Sequence, residues 1–175
     1  MTETTWTAPP IERPDDEDND TGDERAVLTD YLAFHRATFL LKCAGLDGEQ
    51  LARRSVEPSS MSLLGLVRHM AKVERIWFRV RFAGEDVERL FPEQDSDFDG
   101  VDPAEAERDY ALLLDEQRRA AEIIAAASFD KTFLDDRTER PINLRVLVQH
   151  VMHEYARHNG HADLLRERID GVTGV

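Results

Sequence analysis

The sequence predicts an all-α protein built as a four-helix bundle. Four segments of about 20–28 residues repeat apolar side chains at helical spacing. Three of them open on N-cap chemistry, and the first and last close on glycine. No stretch alternates apolar and polar residues as a half-buried strand would.

Residues 1–22 hold Pro9, Pro10, Pro14 and the acidic run Asp15-Asp16-Glu17-Asp18, with Trp6 and Ile11 as the only large apolar groups. Such a segment buries too little to offset its ordering entropy, so a mobile acidic N-terminal arm is expected, with Trp6 free to dock. The bundle domain is expected over residues 23–175. Asp23 offers an N-cap for a first helix from Asp23 to Ala44, whose apolar face is Leu28, Leu32, Phe39, Cys43 and Leu46; Gly45 and Gly48 end it. His35 lies on that face and reads as a boundary residue. Asp47 to Pro58 reads as a connection, since Pro58 disfavours helix before it. Ser59 and Ser60 offer N-caps for a second helix, Met61 to Phe82. There Leu66, His69, Val73, Ile76, Trp77 and Val80 fall within about 100° of arc, which puts His69 in the middle of an apolar stripe. Gly65 lies near that stripe, and a helix-interior glycine costs about 1 kcal/mol against alanine unless a close approach requires it.

The acidic segment Gly84 to Val101 is long for a structureless connection and reads equally as a lid or a plain crossover. Asp102-Pro103 with Glu105 reads as N-cap, first-turn proline and capping box for a third helix, Pro103 to Ala127. Its inner stripe is Tyr110, Leu113, Leu114, Gln117, Ala121 and Ile124. Phe129 to Arg140 connects. Pro141 opens a fourth helix, Ile142 to Ile169, which Asp170-Gly171 stops.

Composition narrows the function classes. A length of 175 residues with 41% hydrophobic content suits one domain with a real core. The net charge of -14 argues against nucleic acid or an anionic membrane surface as partner. A single cysteine, Cys43, permits no internal disulfide and fits a reducing compartment. No basic leader with an apolar stretch opens the chain, and no apolar run approaches about 18–20 residues. A cytoplasmic protein is expected.

The fourth helix carries the densest chemistry. His150, Glu154, Arg157, His158 and His161 crowd into roughly 80° of arc, on the face where Val146, Leu147, Leu164 and Leu165 would turn toward a core. Buried charges are usually paired or bound to metal. Glu154 and His158, at i and i+4, are neighbours able to hold one cation. Two blander arrangements use the same residues: histidines hydrogen-bonded to one another or to backbone, and a surface ion pair of Glu154 with Arg157 or His158. A satisfied core histidine is the corresponding alternative for His69. The coexistence of an inward His69 with an inward Glu-x3-His favours a shared divalent ion, zinc before nickel. Three protein ligands would leave a coordination position open, as catalytic sites do. His150, Arg157 and His161 are then expected to orient the ligands or touch substrate. His153 points about 100° away and is discounted.

SLLGLVRHMAKVERIWF (Ser62 to Phe78) and HEYARHNGHADLLRERIDG (His153 to Gly171) resemble the DinB-like metalloprotein superfamily, in its mini-circle-protein branch related to mycothiol-dependent maleylpyruvate isomerases. The likeness runs from about Asp23 to Gly174. It implies a DinB-like four-helix bundle with metal ligands at His69, Glu154 and His158. Many members have histidine where this chain has Glu154; isomerase-like members have glutamate. The resemblance also implies a thiol-dependent transferase that joins a low-molecular-weight thiol such as mycothiol to a small electrophile, and a homodimer. Two other readings of the site stand beside it: a non-catalytic metal- or small-ligand-binding stress protein, and a metal-hydroxide hydrolase.

Overall fold

Asp23 accepts the Ala26 N–H and starts α1, Glu24–Cys43, which ends where Gly45 takes φ +78°. In this computed structural model the described residues are 5–12, 21–136 and 138–174. A short helix follows, α2, Gly48–Ala52, inside the expected connection. Asp47 and Gln50 form a reciprocal capping box there. Gly48 signals close packing in place of a helix end, because a Cβ on it would run into the Pro103 carbonyl.

The second long helix starts two residues later than expected. Ser62, not Ser59 or Ser60, caps α3, Leu63–Glu74, by accepting the Gly65 N–H at 3.1 Å. The helix continues as a π-helix over Arg75–Phe82, in which the Ala83 N–H reaches back to the Phe78 carbonyl. The wider turn buries Trp77, Phe78, Arg79 and Phe82 along with Glu74. In the acidic crossover a one-turn helix forms, α4, Ser96–Asp99. Asp102 then caps a 3-10 turn, Pro103–Glu105, that leads into α5, Ala106–Ala126.

The third connector contains the strands β1, Thr132–Leu134, and β2, Pro141–Asn143, antiparallel with Phe133 opposite Ile142. Neither strand was expected. At three residues each they are too short for an alternating pattern, and Pro141 is tolerated because each strand is a sheet edge. The last helix, α6, Leu144–Asp170, is capped by Asn143 accepting the Val146 N–H, so Pro141 precedes it instead of opening it. Gly171 closes it at φ +81°.

The bundle is all-α apart from this hairpin. α1 packs along α6, α3 along α5, and α3 also meets α6. Phe39, Leu66, Met70, Phe78, Leu113, Val151 and Tyr155 fill the space between them. Several positions expected inside are exposed: Leu114 and Ala121 on α5, Val146 and Leu164 on α6. On α5 the buried face is shifted because Asp109, Glu116 and Ala120 belong to it. Apolarity counts place such charges outside. They are inside because they are paired: Arg75 and Arg79 both donate to Glu116 Oε1, at 2.6–2.9 Å. A second polar knot ties four helices. Fully buried Glu74 receives Arg36 at 2.8 and 2.7 Å and the Tyr155 hydroxyl at 2.9 Å, while Gln117 donates to that hydroxyl at 2.8 Å.

Of the arm expected over residues 1–22, the described part from 5 to 12 lies on the bundle. Ala8 exchanges hydrogen bonds with Gly45 and Leu46, and Trp6 meets the Tyr110 ring edge-on at 5.8 Å. One buried alanine and two main-chain bonds fasten what composition alone reads as unanchored. The acidic run Asp15-Asp16-Glu17-Asp18 lies outside the described residues. No helix among the described residues is long and apolar enough to cross a membrane.

Candidate metal centre

His69 on α3 meets α6 at Glu154 and His158, and one ligand atom from each of the three lies within 4.8 Å of the others. Ligand bonds of ~2.0–2.2 Å to one ion require donor atoms ~3–4 Å apart, so the three stand within about 1 Å of a shared coordination sphere. His69 sits at the margin of the apolar stripe instead of its centre, with the deeper places taken by Val67, Met70, Ala71 and Phe78. That margin is where α3 faces α6.

Each imidazole is oriented from behind. The His69 Nδ1 is 2.8 Å from Asp97 Oδ2 on α4. Burial raises the Asp97 carboxyl, but the His69 hydrogen bond, a main-chain N–H and the Lys72 charge hold it below its ordinary value. An ionised carboxylate only accepts hydrogen bonds, so Nδ1 carries the proton and Nε2 keeps its lone pair for a ligand. Phe98, beside Asp97, stacks on the His69 ring at 5.1 Å. The approach that Gly65 permits is made by Phe98, whose Cδ1 would lie 3.2 Å from an added Cβ. The space beside His69 is thus filled by the protein.

His158 is buried, and its Nδ1 lies 3.2 Å from His161 Nδ1. Burial pushes its imidazole down to about 3, with His69, His161 and Arg157 acting in the same direction. It is therefore neutral across the physiological range, the form that binds metal. Its Nε2 is 3.6 Å from Glu154 Oε2, and His150 Nε2 is 3.8 Å from Glu154 Oε1. Both separations exceed hydrogen-bond length. The donor set of two imidazoles and one carboxylate fits a divalent ion of the zinc type.

The remaining expected residues divide. His161 touches His158, while His150 packs against Trp77 with ring centroids 4.4 Å apart. Arg157 is exposed and reaches the site through its charge. His153 is exposed, as its angle on the helix requires. His35 is half-buried on α1; its carbonyl accepts from Asn159, and its ring lies outside the triad. Beside the triad opens a hollow of about 250 Å³ lined by His69, Lys72, Val73, Ile76, Trp77, Arg81, His150 and Glu154. Sequence reasoning missed Asp97, Phe98, Lys72 and Arg81. The only local signal was an aromatic next to a carboxylate, Asp97-Phe98, in a connector otherwise dominated by acidic residues.

A protein-family model described as Mycothiol-S-transferase matches residues 27–171, from within α1 to the cap of α6. The chain belongs to the mycothiol-S-transferase family. This is a DinB-like family, in keeping with the helical bundle and with the resemblance carried by the α3 and α6 motifs. No protein of curated function matches the chain.

Proposed function

We propose that this mycothiol-S-transferase family member is a metal-dependent enzyme that joins a mycothiol-type thiol to a small electrophile, with His69, Glu154 and His158 holding one divalent ion. The observation that carries the reading is the convergence of these three side chains from two helices beside an open hollow, with Asp97 behind His69 and His161 behind His158. Bound there, a dication lowers the pKa of a thiol and favours its anionic form.

The chain's residues supply the rest. Asp97 fixes the His69 tautomer and ring plane. His161 holds the far side of His158. Glu154 contributes a single negative charge, so a dication held by this set keeps net positive charge toward the hollow. Val73, Ile76 and Trp77 form an apolar wall that limits water around the reacting thiol. His150 lines the same hollow and serves as a substrate contact. We place zinc ahead of nickel at this site and the protein in the cytoplasm, where low-molecular-weight thiols are kept reduced.

Elemental analysis of protein purified without chelator or nickel resin should show one divalent ion per chain. The triple variant His69→Ala, Glu154→Ala, His158→Ala should show none; retained stoichiometric metal would sink the ligand assignment. Metal-loaded protein incubated with mycothiol and a panel of electrophiles should yield conjugates detected by mass spectrometry. No conjugate above the metal-free control would leave a non-catalytic binding protein, and electrophile consumed without thiol would indicate hydrolysis.

A further inference from the structure

The hollow has a charge that the protein as a whole does not. Its lining carries two cations, Lys72 and Arg81, against one carboxylate, Glu154, in a chain of net charge -14. Arg81 belongs to the π-helical stretch, and its guanidinium lies over the Trp77 ring at 4.3 Å with only 12% of its side chain exposed. Its Nη2 pairs with Asp136, 2.8 Å away and largely exposed. Its Nε–H is buried with no hydrogen-bond partner among the described residues. A buried N–H left unsatisfied is costly, more so on a charged group, and calls for an explanation. Lys72 stands one helical turn beyond His69 and is held near Asp97 at 3.3 Å. π-helical turns are frequent at functional sites, and this one stacks a guanidinium on an aromatic ring beside the hollow.

We propose that Arg81, stacked on Trp77, forms a carboxylate-binding subsite, so that the acceptor is a small electrophile with an apolar body and an anionic end. A carboxylate is planar and accepts two parallel N–H bonds, the geometry a guanidinium fork offers. An apolar acyl or aryl body suits the Val73 and Ile76 side chains, and a hollow of about 250 Å³ limits it to a small molecule. Arg81, twelve residues beyond His69 on the same helical segment, then holds the anionic end away from Glu154. The subsite rests on the transferase reading for its role in turnover but not for its binding chemistry, which belongs to these side chains alone.

Benzoate is the binding probe and benzamide its neutral control, followed by calorimetry on zinc-loaded and on chelator-treated protein. Benzoate should bind and benzamide should not. Arg81→Met, which keeps the stem over Trp77, should weaken benzoate about tenfold or more, since a hydrogen bond to a charged group is worth about 1.5–3 kcal/mol. Asp136→Asn removes the competing carboxylate at an exposed position and should tighten benzoate severalfold, an effect that a merely structural Arg81 would not produce. No saturable benzoate binding, or binding indifferent to both variants, would overturn the subsite. Binding that needs zinc but ignores Arg81 would overturn it too, while supporting the metal centre.

The turnover arm compares 4-(bromomethyl)benzoate with 4-(bromomethyl)benzamide. In both, the thiol sulfur bonds to the benzylic carbon, bromide leaves with the bonding electron pair, and the thiol proton passes to solvent. The acid should be preferred over the amide, relative to their uncatalysed rates, and Arg81→Met should erase the preference. Absence of conjugation with either acceptor, alongside Arg81-dependent benzoate binding, would support the subsite and count against the transferase. A preference that followed a carboxylate on the thiol and ignored that of the acceptor would overturn the assignment to the acceptor.

Discussion

Asp97 is the residue on which the proposed centre most depends without itself being a ligand. It reaches His69 from a different helix and is buried. Loss of such an orienting carboxylate typically costs 10–100-fold in metal affinity. Asp97→Asn should therefore weaken zinc by about that factor in a chelator competition titration, with far-ultraviolet circular dichroism unchanged; undiminished affinity would show that His69 needs no such support. His158 gives a pH signature. Its imidazole, ordinarily near 6.5, is held down to about 3, chiefly by burial. Between those values the unfolded chain binds a proton that the folded chain does not, so His158 withdraws stability as pH falls below about 6.5 and has no such effect above it. In chelator-treated protein the urea midpoint of wild type should drop relative to His158→Gln between about pH 7 and 5; parallel profiles would count against the assignment. At this scale the sequence showed the three candidate ligands and His161 beside them, but not Asp97. His69, Glu154 and His158 share helical faces whose angles can be computed, whereas Asp97 arrives from a crossover whose path no periodicity describes.

Helix rotation is what aims these side chains, and the polar knot around Glu74 sets it. Tyr155 follows Glu154 directly on α6, and its hydroxyl is bonded to Glu74 of α3 and Gln117 of α5. Turning α6 would break those bonds before it moved Glu154 far. Glu74→Gln leaves the Arg36 guanidinium, 11% exposed, without its countercharge. Breaking a buried pair from one side costs about 3–5 kcal/mol. Urea denaturation should show a loss of that order, and the double variant Glu74→Leu, Arg36→Met should lose less than the single changes sum to. A loss below about 1 kcal/mol for Glu74→Gln would mean the knot is dispensable. The long helices were legible because caps and apolar spacing agree: Asp23, Asp102 and Gly171 mark ends that the structure shares. The elements that escaped are short. α2, α4 and the two strands hold three to five residues each, less than the repeat that would announce them.

For the whole molecule, the bundle was readable from four amphipathic segments, and the direction of its charged interior was not. Counting apolar residues gives each helix one wet face, yet Glu74, Glu116 and Asp109 are all buried. Pairing partners 37 to 41 residues distant, such as Arg75, Arg79 and Arg36, make that tolerable, and no local window contains them. Assembly belongs to this scale. Leu134 and Val146 stand exposed near the hairpin, at 69% and 49%. We propose a homodimer, and light scattering at micromolar concentration should return twice the chain mass; the mass of one chain would exclude it. The stack of Arg81, Trp77 and His150 has a use beyond binding. The sequence has two tryptophans, and the other, Trp6, lies against Tyr110 under the N-terminal segment. A Trp6→Phe protein would emit from Trp77 alone, an indole between a cation and an imidazole at the rim of the hollow. Protonation of His150, arrival of an ion or seating of an acceptor would each alter that emission, so the hollow carries its own optical reporter and its filling can be followed in real time without a label.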